Sequence, residues 1–113
     1  MGLDIAQLVT DLKNAASTEL AADVSTFQGF AERQLQAIGE QADLVARGIL
    51  SGEITAATRD FFLQGIKDLT LNFVKTLEGL VTASIEKVWN AMVGVIWNAI
   101  AKLTGMTLTP SNA

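Results

Sequence analysis

Apolar side chains recur along this chain at steps of three and four, and no proline interrupts them before position 110. Such steps keep residues on one face of an α-helix, which turns once in about 3.6 residues. No stretch alternates apolar and polar residues between turn signals, as a half-buried strand would. The fold class expected is all-α.

The pattern divides into two arms of nearly equal length. Arm one spans about 4–48 and opens at Asp4, with Gln7 three residues on in a capping-box arrangement. Leu8, Leu12, Ala16, Leu20 and Val24 follow at steps of four, which drift around a helix. Phe27, Ala31, Leu35, Ile38, Ala42, Val45 and Ile49 then hold one face. Ser25 with Gln28 repeats the capping-box pattern, and Gly29 follows. A break could fall there, but nothing forbids helix outright, and a continuous arm is the expectation. The turn lies at about 49–55. Arg47 suits a helix end, Gly48 or Gly52 the position after it, and Ser51 or Thr55 the next N-cap. Arm two spans about 55–104 and ends at Lys102, Leu103, Thr104 and Gly105, leaving 105–113 as a flexible tail. Equal arms on a short turn predict a single domain over 1–113. It would be two long antiparallel helices, a helical hairpin, or a four-helix arrangement if the arms are broken. Each unbroken arm would be about 70 Å long.

Composition narrows the chemistry. The chain has no Cys, His or Tyr, so disulfides, thiolate and imidazole metal sites, and Ser–His–Asp chemistry are absent. Glu40 and Asp43 lie three apart but lack a third acid on that turn, so a solvated face is the reading there rather than a metal site. Asp43 with Arg47 forms a favourable i, i+4 pair. No enzyme, cofactor or metal is expected. The net charge is −4, and the eight basic residues are dispersed, without the patch that nucleic acid requires. The first residues carry Asp4 where a signal peptide needs basic residues. A cytoplasmic location, or one within an assembled particle, is expected, with a membrane surface as the alternative. The glycines at 29, 39, 65, 79 and 94 fall inside the arms and suggest close backbone packing or local bends.

Residues 88–101 carry no charge, and after Lys87 only Lys102 remains. On a helical wheel the apolar arc of 85–103 covers about half the circumference, more than the roughly 100° stripe that one neighbour buries. A lone hairpin therefore has more apolar surface than it can hide. It must self-associate, bind a partner, fold its arms over into a four-helix bundle, or meet lipid. The first expectation is a non-enzymatic, self-assembling homo-oligomer, packed with copies of itself into a bundle, ring or filament. The contact residues expected are Phe61, Phe62, Ile66, Phe73, Trp89, Met92, Ile96, Trp97 and Ile100. The alternative is a membrane-active or membrane-associated protein, such as a pore former, lysis factor or coat, inserting 85–103 into a lipid bilayer. A helical protein partner is a third way to cover the same surface.

Overall fold

The computed structural model describes residues 2–105. They form four helices: α1 (Ile5–Leu20), α2 (Glu32–Ser51), α3 (Ala56–Thr76) and α4 (Thr82–Thr104). A single 3-10 turn, Val24–Thr26, lies between α1 and α2. The described residues contain no strand. The expected tail falls, beyond Gly105, outside the described residues.

Two unbroken arms do not form. The longest dimension of the molecule is 41 Å, against the roughly 70 Å of one continuous arm. Arm one stops at Leu20, where Ala21 turns left-handed at φ 55 and donates its N–H to the Ser17 and Thr18 carbonyls. The Ser17 hydroxyl then accepts from the Val24 N–H at 2.9 Å. The Asp23 carboxylate accepts from the Ser25 N–H at 2.9 Å and the Ser25 hydroxyl at 2.7 Å. These short polar side chains offer the backbone an alternative to helix. Asp23, not Ser25, is the cap at this break. Arm two also breaks, at 77–81, where the apolar steps predict continuous helix.

The two breaks are one motif used twice, fifty residues apart. Val24, Thr26, Phe27, Gly29 and Phe30 correspond to Val74, Thr76, Leu77, Gly79 and Leu80. Thr26 and Thr76 each donate a hydroxyl hydrogen bond of 2.6 Å to the carbonyl three residues back. Phe27 and Leu77 each donate an N–H to the preceding valine carbonyl at 3.1 Å. Gly29 and Gly79 take φ of 93 and 89, a conformation that glycine reaches without steric cost. The loops lie side by side, with the Glu78 N–H donating to the Gln28 carbonyl at 2.9 Å. In this repeat α1 matches α3 and α2 matches α4.

Consecutive helices run antiparallel. Lys13 pairs with Glu32 at 2.9 Å, while the Leu3 N–H reaches the Asp43 carboxylate at 2.8 Å. Thr76 donates to Gln34 at 3.3 Å, and the Trp89 indole donates to the Lys67 carbonyl at 3.0 Å. α4 closes the ring against α1, the most extensive helix pairing. Leu12, Leu35, Ile38, Ile66, Phe73, Met92, Ile96 and Ile100 are fully buried between the four helices. Burying a side chain of this kind stabilises a fold by about 1.5–3 kcal/mol. The buried Thr70 hydroxyl is satisfied by the Ile66 carbonyl at 2.8 Å. Folding each arm over into two helices covers much of the apolar surface that an unbroken hairpin would expose.

Several local signals act at the helix ends, although the Gln7 amide turns to Asp11 at 2.9 Å and does not complete the box with Asp4. The Asp4 carboxylate accepts from the Gln7 N–H at 3.1 Å. Thr55 caps α3 in a box with Thr58. Gly52 and Gly105 end α2 and α4 in the left-handed conformation.

Candidate functional site

Six of the nine expected contact residues are inside the chain's own core: Ile66, Phe73, Met92, Ile96, Trp97 and Ile100 are buried. Their surroundings are the other helices of the same chain. Trp89 is half-buried, held by its hydrogen bond to Lys67, whose ammonium lies 5.8 Å from the indole centroid. The apolar arc of α4 is wide because α4 touches α1, α2 and α3. Among the described residues, no helix is long and apolar enough to cross a membrane. None of them forms a group of three or more His, Cys, Asp or Glu that could hold a metal ion.

Phe61 and Phe62 differ from the rest. Phe61 is 77% exposed. Its ring meets that of half-buried Phe62 edge to face, with centroids 5.4 Å apart and planes at 85°. The pair borders a groove of about 360 Å³ between α3 and α2, lined also by Gln41, Gln64, Gly65 and Asp68. Leu44, 56% exposed, stands about one turn along α2 from Gln41. The groove has little charge of its own. Gln64 donates its amide to Asp68 at 2.9 Å, which leaves the Phe61 side apolar.

Gly65 is the feature of this groove that the apolar pattern missed. It lies within α3, where glycine costs about 1 kcal/mol relative to alanine. No atom lies within 4 Å of where its Cβ would stand. Gly39 has an internal reason, since a Cβ there would come within 3.0 Å of Ile5. Gly29 and Gly79 serve the turns. Gly65 has no such reason within the chain. Gly94 is similarly open, on the strip with exposed Asn90 and Asn98.

The internal repeat supplies a comparison. A second groove, of about 420 Å³, lies between α1 and α4 and is lined by Asp11, Asn14, Ala15, Thr18, Val95, Asn98 and Lys102. Its α1 residues are the fifty-residue counterparts of Phe61, Gln64, Gly65 and Asp68. Leu44 likewise matches Gly94. At equivalent places in the fold, the groove between α1 and α4 carries Asp11 and Ala15, while the groove between α3 and α2 carries Phe61 and Gly65. The fold itself therefore does not require an exposed aromatic or a bare glycine there. A repeat search at this spacing would have exposed the contrast from sequence.

Comparison with protein-family models, curated proteins and solved structures finds no match to this chain.

Proposed function

We propose that this chain is a non-enzymatic structural unit, a four-helix body that packs with copies of itself through the apolar face that α3 and α2 present. The exposure of Phe61 beside Phe62 carries this reading. Leaving a phenylalanine in water forgoes about 1.5–3 kcal/mol of burial. The equivalent position on α1 is met by an aspartate, so the exposure of Phe61 is a property of this face and not of the fold. The residue inventory supports the reading as well, since the chain lacks His, Cys and Tyr.

A two-fold dimer needs only one self-complementary face, whereas a ring or a filament needs two different ones. A single apolar face on α3 and α2 favours the two-fold form. Light scattering across about a hundredfold range of concentration tests the reading, at the modest interface size expected of one helical face. The mass should rise above the 12.0 kDa of one chain, and mild detergent should return it. A single-chain mass at every concentration would overturn the proposal.

A further inference from the structure

We infer that α3 pairs with α3 of a second copy, antiparallel across a two-fold axis, with Phe61 of each chain seated over Gly65 of the other. This rests on the self-association proposed above and specifies its geometry. Phe61, Gly65, Asp68 and Asn72 share the outward face of α3, opposite the buried Leu63, Ile66, Thr70 and Phe73. Phe61 is a projection from that face, and Gly65, one turn on, is a gap in it. A face holding one projection and one gap a turn apart complements itself when a two-fold axis passes between them. The axis then lies level with residue 63, so position 61 meets 65 and position 68 meets 58.

Charge selects the same arrangement. The antiparallel pairing sets Asp68 against the first turn of the other α3, where the positive end of the helix dipole favours an anion. It sets Lys75 towards the other copy's 51–53 turn, which carries exposed Glu53. A parallel pairing would set Asp68 against Asp68, Lys75 against Lys75 and Phe61 against Phe61, with both gaps unfilled. A helix of 21 residues is about 31 Å long. Two such faces make a contact at the small end of specific interfaces, about 1,200 Å² in total, so the dimer should be weak and concentration-dependent.

Sedimentation velocity on the full chain tests this with three variants. Phe61→Ala should weaken the dimer at least about tenfold, as loss of a central aromatic anchor does. Gly65→Leu should abolish it while leaving the melting temperature unchanged or raised. The gap is open in the single chain, and leucine favours helix over glycine. Gly94→Leu, at an open glycine inside α4, should leave the dimer intact. Geometry is read separately with a short bismaleimide on this cysteine-free chain. A mixture of Thr58→Cys and Asp68→Cys chains should be trapped as a covalent dimer. Thr58→Cys alone should not, because the axis leaves its copies about 15 Å apart along the helix. Association that persists in Phe61→Ala and Gly65→Leu would overturn this face while sparing self-association. Efficient trapping of Thr58→Cys alone would overturn the antiparallel geometry. A chain that never associates would overturn both.

Discussion

The repeated loop makes an internally controlled experiment on close packing. Gly29 and Gly79 have almost the same φ, 93 and 89, in matching turns. Their surroundings differ. A Cβ on Gly79 would meet nothing within 4 Å, whereas one on Gly29 would run into the Thr76 carbonyl, with its carbon 2.9 Å away. Alanine at either position suffers the strain of positive φ, about 1–2 kcal/mol. At position 29 it must also push the two loops apart, which adds about 1–3 kcal/mol on the scale of overpacked cores. Gly79→Ala should therefore cost about 1–2 kcal/mol and Gly29→Ala about 2–5 kcal/mol. For a chain of this size, each kcal/mol lowers the melting temperature by about 4 °C. Urea unfolding followed by circular dichroism measures both, with an unchanged m-value confirming that the same transition is compared. Equal losses for the two variants would refute the claim that the loops press on each other.

Trp97→Glu should remove cooperative melting, because it buries a charge among the helices at a cost of at least about 3 kcal/mol. Phe61→Glu, on the exposed face, should melt like the parent. A cooperative Trp97→Glu protein would place that indole elsewhere. Asp43→Ala leaves the Leu3 N–H without its acceptor and Arg47 without its 3.2 Å partner. It should cost about 1–3 kcal/mol, with hydrogen exchange at the Leu3 amide accelerating; unchanged exchange would argue against the tie. Hydrogen bonds from the Ser25 hydroxyl and N–H hold the Asp23 carboxyl below the ordinary carboxylate value. Its contribution is therefore complete above that ordinary value and is lost as the pH falls through the lowered one. The stability gap between the parent and Asp23→Ala should be constant at neutral pH and close only in strong acid. A gap that closes near neutrality would contradict the assignment.

The helical class and most of the core were legible in the steps of three and four. Leu12, Leu35, Ile38, Ile66, Phe73 and Ile96 are buried where those steps place them. The caps at Asp4, Thr55, Gly52 and Gly105 were legible because each acts on its own turn. The break at 77–81 was not, and the one at 21–31 was marked by Ser25, Gln28 and Gly29 only as an alternative to a continuous helix. Leu20, Val24, Phe27 and Phe30 keep a helical step straight through the first, and Phe73, Leu77, Leu80 and Val81 through the second, so periodicity reads on past the end of the helix. Only the recurrence of the valine–threonine–glycine pattern marks both. Without those breaks each arm carries surplus apolar surface, and α4 residues that are buried within the chain look available to a neighbour. On α3 the inner face is centred on Thr70, a polar residue that hides its hydroxyl in the backbone. That choice obscured which side of the helix Phe61 occupies.

The paired loops gather at one end of the bundle, and the 52–55 turn, Leu3 and Gly105 gather at the other. The halves are tied by contact and not by their order along the chain. Opening the polypeptide at Gly52 and bridging α4 to α1 with a short flexible segment would let the second hairpin be synthesised ahead of the first, with every helix keeping its neighbours.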